Sequence, residues 1–323
     1  MNRKKILIPL GIPEAGLALV KARDDIDYEV LDPAPPEQFR AKLKDVHGVT
    51  LRVTGFTAAD LAVAPNLMAV ARLGVGYDNV DVAACTGRNV AVMIAGIANS
   101  VSVAEQAVFF MLALAKRAAE MDAMVRRERW AERFGALPGD LAGKTVLVIG
   151  GGRIGSRVIR RCAAFEMNVL AYDPYLKTDV LRMYGAEPVS DLRAALARAD
   201  FVTIHCPKSG ETVGLIGRAE LAAMKKGAFL VNTARGGIVD EGALHAALTG
   251  GQLAGAALDV FDREPVDPAN PLLKLPNTIY APHMAGVTRE ALDRMAVAAV
   301  QNLLDVFDGR PKRENCVNPE VLG

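Results

Sequence analysis

The sequence predicts an α/β protein made of two doubly wound parallel-sheet domains. Three observations carry that prediction. Short apolar runs alternate with longer stretches of helical periodicity, the rhythm of parallel strands covered on both faces. The alternation comes as two separate series, one before residue 100 and one after residue 144. The chain has 323 residues, enough for two domains at roughly 100–200 residues each.

The first series supplies candidate strands at Ile6–Pro9, Tyr28–Leu31, Val49–Val53, Ala69–Leu73 and Val90–Met93. The second supplies Thr145–Ile149, Val169–Tyr172, Phe201–His205, Ala228–Val231, Ala256–Val260 and Thr278–Ala281. A long helix lies between the series. Its opening reads Ser102-x-x-Glu105, a capping-box pattern in which each side chain satisfies a free amide. It then runs apolar through Val108, Phe109, Phe110, Met111, Leu112 and Leu114. A helix apolar on most faces is buried on more than one side. Two readings stand for it: a core helix between domains, or a contact with a second copy in a homodimer. A last helix, about Arg289 to Phe307, is long enough for a return crossing to the first domain. The expected division is therefore 1–99 with 290–323, and 100–289.

Composition narrows the function classes. Hydrophobic residues make up 51% and charged residues 23%, so both domains can bury a core. The net charge of +1 gives no basic excess for nucleic acid or an anionic membrane. No run approaches ~18 unbroken apolar residues, so no membrane span is expected. The apolar run Ile6–Leu10 is short, contains Pro9, and suits a first strand better than a signal peptide. The four cysteines, Cys85, Cys162, Cys206 and Cys316, form no CxxC pair. They read as thiols of a reducing cytoplasm, with neither a disulfide framework nor a metal site.

The strongest local signal follows Thr145–Ile149. Gly150-Gly151-Gly152-Arg153-Ile154-Gly155 reads as G-x-G-x-x-G and opens a helix. Gly150 permits the tight turn, Gly152 lets backbone approach a pyrophosphate, and Gly155 lets helix pack on strand. The helix start then offers amides and a positive dipole end to phosphate. The next strand ends in Asp173, 18 residues after Gly155. That is near the ~20-residue spacing of the acid that binds a ribose 2′-hydroxyl. A carboxylate there repels a 2′-phosphate, and Pro174 and Tyr175 supply no cation for one. The cofactor expected is NAD rather than NADP.

Ligands of an open parallel sheet bind outside the carboxyl ends of its strands. In the second series those ends carry Cys206-Pro207, Thr233-Ala234-Arg235, Asp259 with Glu264 soon after, and Pro282-His283. Arg, Glu and His suit hydride transfer at a 2-oxo acid. The guanidinium fork of Arg235 matches a substrate carboxylate. His283 can exchange a proton with the substrate oxygen. Glu264 can orient His283 and keep it protonated. Each residue alone reads more plainly as a loop arginine, a turn glutamate or a structural histidine. Their occurrence together behind a dinucleotide turn favours chemistry. His205 reads as the end of a buried strand, and His47 and His245 as loop and helix-surface residues.

The motifs Leu73–Asp81, Asn99–Glu105, Val148–Gly155, Val231–Glu241, Ala257–Phe261 with Glu264-Pro265, and Ala281–Gly286 follow in that order. With them the chain resembles the D-2-hydroxyacid dehydrogenase family, most closely its 3-phosphoglycerate dehydrogenase and hydroxypyruvate reductase branch. The resemblance spans about residues 50 to 290. It implies a flavodoxin-like substrate domain and a Rossmann NAD-binding domain. It implies Arg235, Glu264 and His283 as the catalytic set, and a D-2-hydroxy or 2-oxo acid as substrate. NAD contacts are implied at Arg153, Ile154, Asp173, Cys206, Pro207, Thr233, Ala234, Asp259 and Gly286, beside the turn glycines. Val75 and Gly76 are implied to receive the substrate carboxylate, which fits consecutive amides of a glycine-rich turn. Arg52 matches a position that contacts the far end of the substrate in some members; it reads equally as a surface arginine.

Two departures from the family pattern stand out. The middle position of Gly-x-Gly is usually larger, so Gly151 is expected to loosen the turn slightly. The sequence ends at Gly323, so the C-terminal regulatory domains of longer phosphoglycerate dehydrogenases, with their feedback control by serine, are not expected. Candidate substrates are 3-phosphoglycerate, hydroxypyruvate, glyoxylate and longer 2-oxo acids. A phosphorylated one needs a cationic wall, for which Arg52 and Arg133 are the basic candidates. A formate enzyme is disfavoured by Glu264, because the family's formate members carry glutamine beside the histidine. The alternative from another class is an NAD-sensing binding protein of the same fold acting as a corepressor.

Overall fold

A computed structural model describes residues 3–135 and 137–323. The chain divides into two compact units. One runs to Asn99 and resumes over Val287–Gly323; the other is Ser100–Gly286.

The first unit holds β1 (Lys4–Pro9), β2 (Ile26–Leu31), β3 (Gly48–Leu51), β4 (Ala69–Arg72) and β5 (Ala91–Met93). They form one parallel sheet in the order β2-β1-β3-β4-β5. Strand residues alternate between two cores because successive side chains point to opposite faces. Ile6 and Ile8 join one core, and Leu7 the other. The helix Arg289–Phe307 covers the first of these faces through Ala296, Ala299, Val300, Leu303 and Phe307. Thr288 caps it, its hydroxyl accepting from the Ala291 amide at 3.1 Å. Gly48 lets the helix seat closely, since a Cβ there would lie 2.8 Å from the Phe307 ring.

The second unit holds β6 (Thr145–Ile149), β7 (Asn168–Tyr172), β8 (Glu187–Val189), β9 (Phe201–Ile204), β10 (Ala228–Asn232), β11 (Leu253–Leu258) and β12 (Thr278–Tyr280). Their order is β12-β11-β10-β9-β6-β7-β8, all parallel. Strand order reverses between β6 and β9, which opens a crevice at their carboxyl ends. Leu147 and Ile149 pack on one side of β6, Val146 and Val148 on the other. Cutting a fully buried side chain such as Leu147 to alanine is worth about 2–5 kcal/mol of stability.

Three expectations need correction. β8 was not foreseen: it is three residues long and carries Pro188, which suits only the sheet edge it occupies. β11 begins at Leu253 and ends at Leu258, earlier on both sides than expected. Its Gly255 is needed because a Cβ there would lie 2.7 Å from the Asn277 carbonyl. The helix between the series starts at Ser100 and ends at Ala115, so Ser102 lies inside the first turn and does not cap. That helix buries Phe110, Met111 and Leu114 against the second unit's core, yet leaves Phe109 54% exposed. No helix among the described residues is long and apolar enough to cross a membrane.

Candidate active site

The carboxyl ends of the seven-stranded sheet gather most of the predicted site. β6 delivers the chain into Gly150, whose φ of +93° suits glycine. A Cβ at Gly150 would lie 2.7 Å from the Cys206 amide nitrogen, and one at Gly155 would lie 1.8 Å from the Gly150 carbonyl oxygen. No other residue fits either place. Gly152, in contrast, meets nothing within 4 Å, so backbone is open where a pyrophosphate needs it. Arg153 and Ile154 lead from there into the helix Gly155–Ala164.

Gly151 does not loosen the turn. A Cβ there would lie 2.4 Å from Leu181 Cδ2 and 3.1 Å from Leu176 Cδ1, so leucines already fill the space of the missing side chain. The Gly151 amide also donates to Asp173 Oδ2 at 2.9 Å. Asp173 Oδ1 accepts from the amides of Tyr175 and Leu176. The carboxylate is thus held rigidly beside the glycine turn.

Beyond β9, burial pushes the His205 imidazole down to about 3, and its Nε2 pairs with Thr203 Oγ1 at 2.9 Å. Burial also pushes the Cys206 thiol up to about 11, so Cys206 is a neutral wall and not a nucleophile. Pro207 follows, its carbonyl accepting from the Thr212 hydroxyl at 2.7 Å. Thr233, at the end of β10, buries a hydroxyl that has no partner among the described residues. Open backbone at Gly152, the held Asp173 and the unpartnered Thr233 hydroxyl fit a dinucleotide along this edge.

Arg235 follows Thr233 and Ala234, and Asn232 fixes its loop. The Asn232 side chain accepts from the Ala234 amide at 3.0 Å and donates to the Arg235 carbonyl at 2.9 Å. Asn232 is 2% exposed and was not foreseen as a site residue. The signal was available: a polar residue closing an otherwise apolar strand. Gly236 then packs so closely that a Cβ would lie 1.8 Å from the Phe261 carbonyl oxygen.

Glu264 and His283 form the centre of the site. His283 Nδ1 and Glu264 Oε2 are 2.7 Å apart. Glu264 Oε1 accepts from the Phe261 amide at 3.0 Å, so both its oxygens are aimed. The bond to Glu264 raises the His283 pKa above the ordinary imidazole range, against burial and the nearby charge of Arg235. Burial acts to raise Glu264, but the bonds from His283 and the Phe261 amide bring its pKa below the usual value.

His283 has a φ of +56°, a left-handed conformation that costs about 1–3 kcal/mol for a non-glycine residue. Asp259 holds it there. The Asp259 carbonyl accepts from the His283 amide at 2.8 Å, and its carboxylate accepts from the amides of Met284 and Ala285 at 2.8 and 2.9 Å. Gly286 follows this locked turn. Burial raises the Asp259 pKa against the pull of those two amides.

The remaining predicted residues lie elsewhere. Arg52 follows β3, and Val75 and Gly76 follow β4, all at carboxyl ends of the five-stranded sheet. Arg133 is in the second unit, its guanidinium over the rings of Trp130 and Phe134 at 5.7 and 4.7 Å.

Residues 108–285 match the family model "D-isomer specific 2-hydroxyacid dehydrogenase, NAD binding domain". The chain belongs to that family. Among its relatives, a D-3-phosphoglycerate dehydrogenase of Archaeoglobus fulgidus is 39% identical across 97% of this chain. This chain spans 59% of the length of that relative. A glyoxylate reductase of Korarchaeum cryptofilum is 37% identical across 99% of this chain and 97% of its own length. A solved NAD-dependent formate dehydrogenase from Staphylococcus aureus, in complex with NAD, superposes with a TM-score of 0.84. It is 28% identical, over 97% of this chain and 98% of that one. The dinucleotide edge described above is thus part of a D-2-hydroxyacid dehydrogenase NAD-binding domain.

Proposed function

We propose that this chain is an NAD-dependent D-2-hydroxyacid dehydrogenase acting on a small 2-oxo acid of the phosphohydroxypyruvate, hydroxypyruvate or glyoxylate class. The observation that carries this is the Glu264–His283 pair on the same sheet edge as Arg235 and the glycine turn. We assign residues 1–99 and 290–323 to substrate and 100–289 to cofactor.

The dinucleotide would be held by the Gly150–Gly155 turn, Asp173, Cys206-Pro207, Thr233-Ala234, Asp259 and Gly286. When bound, NADH supplies the hydride at its nicotinamide ring. Arg235 clamps the substrate carboxylate with two parallel hydrogen bonds. The Val75-Gly76 turn offers consecutive amides of the kind that bind an anion. Glu264 holds Nδ1, which leaves Nε2 as the nitrogen that exchanges a proton. In reduction, His283 gives its Nε2 proton to the carbonyl oxygen, and that proton becomes the hydroxyl hydrogen. In oxidation, neutral His283 takes it back. Glu264 stabilises the imidazolium in both directions.

That proton path favours a 2-oxo acid over formate, whose oxidation releases a hydride and needs no proton relay. The corepressor alternative gains no support from the relatives named above, which are dehydrogenases and a reductase. Phe109, with the exposed Val101 on the same helix, supports a homodimer. Phe109→Lys is expected to give a monomer by sedimentation; an unchanged mass would place any interface elsewhere. Four free cysteines accord with a cytoplasmic setting.

The test is NADH oxidation against a panel of 2-oxo acids, with NADPH in parallel. Turnover with NADH preferred is the expected result. Protein that binds NADH yet reduces none of the acids would overturn the reading.

A further inference from the structure

The loops assigned to substrate in the first unit are joined at their base by a side chain that the sequence did not single out. Arg72 is the last residue of β4 and pairs in register with Leu51, the last of β3. Its guanidinium turns back over both strand ends. Nη1 donates to the Arg52 carbonyl at 2.5 Å and to the Leu51 carbonyl at 3.3 Å, while Nε donates to the Gly76 carbonyl at 2.8 Å. Three carbonyls from two loops converge on one planar cation. Asn79 ties the same loops farther out, its Nδ2 donating to the Val53 and Thr54 carbonyls at 3.2 and 3.1 Å.

The geometry suits arginine alone. A guanidinium presents several donors in one fixed plane, whereas a lysine ammonium is a compact point charge. Holding the Gly76 carbonyl fixes the peptide plane at the end of the Val75-Gly76 turn. Holding the Arg52 carbonyl fixes the backbone from which the exposed Arg52 side chain projects. The rest of the turn is tied by backbone, the Ala95 amide donating to the Gly74 carbonyl at 2.8 Å and the Val80 amide to the Tyr77 carbonyl at 2.9 Å.

We propose that Arg72 is a positioning residue: it sets the Arg52 loop and the Val75-Gly76 turn in one mutual register and does not itself bind substrate. The consequence for catalysis rests on the function proposed above; the clamp itself does not.

Hydrogen exchange of the whole chain tests the clamp without any substrate. In Arg72→Ala and Arg72→Lys, amides 52–56 and 74–80 are expected to exchange faster, with the strands of the sheet unchanged. In kinetics, the KM for the 2-oxo acid is expected to rise about 10- to 100-fold, the scale of a small misplacement of positioned groups. The kcat should fall far less, NADH affinity should hold, and lysine should restore only part of the loss. Unchanged exchange in the two loops overturns the proposal, as does faster exchange across the whole sheet. Loosened loops with a wild-type KM overturn it too. So does a KM loss with unaltered loops, which would make Arg72 a direct substrate contact. If wild-type protein reduces no 2-oxo acid, the catalytic reading fails by itself and exchange still decides the clamp.

Discussion

The carboxyl edges of the two sheets use different parts of the chain. On the seven-stranded sheet the groups we propose to react are side chains: Arg235, Glu264 and His283, each beyond the end of a different strand. Backbone there serves as support, through the Phe261 amide on Glu264 and the Asp259 carbonyl on the His283 amide. On the five-stranded sheet the roles reverse. The groups assigned to substrate are mainly the amides of Val75 and Gly76, and the Arg72 side chain at the end of β4 turns back to hold carbonyls. A side-chain site announces itself by residue type. A backbone site is defined by whatever holds the peptide planes, and that is seldom adjacent in sequence.

Variants can break or sharpen this contrast. The largest effect is expected at His283. His283→Ala should lower kcat by about 10²–10⁴-fold, the usual span of acid–base catalysis, while NADH titration by fluorescence shows affinity kept. Normal turnover would remove His283 from the proton path. Next comes Arg235→Lys, which keeps the charge and loses the fork. A drop in kcat/KM of about 10- to 100-fold is expected, the value of one charged hydrogen bond. An unchanged kcat/KM would show that Arg235 does not hold the substrate carboxylate.

The smallest effect is a shift of pH profile. Glu264 raises the His283 pKa. Reduction needs the protonated ring, so its rate is expected to persist above the ordinary imidazole range and fall as pH rises through the His283 value. In Glu264→Gln the ring loses its anionic partner and that alkaline limb should move to lower pH. A limb that stays in place would assign the titration to another group.

Much of the candidate site on the seven-stranded sheet was legible because its groups sit in runs of unusual composition. Val231–Gly237 packs a polar residue, a threonine, an arginine and two glycines behind an apolar strand. Asp173 was legible from spacing alone. Its three backbone bonds were not, because they depend on how the Gly151 turn and the Tyr175-Leu176 segment fold around it. The supports were hidden for the same reason. Asn232 was one letter in a motif until its amide was seen to bridge Ala234 and Arg235. Leu181 is an ordinary helix leucine in sequence, yet it fills the space above Gly151. β8 escaped notice because Pro188 argues against a strand anywhere but at an edge, and sequence does not say which strand is the edge.

Residue order determined the two series of strands, the dinucleotide turn and the residue types of the proposed acid–base pair. Those are local properties: periodicity, glycine placement and side-chain chemistry. Tertiary structure decided which groups hold others in place. The Arg72 clamp, the Asp259 lock on the left-handed His283 and the 2.7 Å approach of Glu264 to His283 each join residues from separate strands. The register of a parallel sheet, set by packing on both faces at once, brings such residues together.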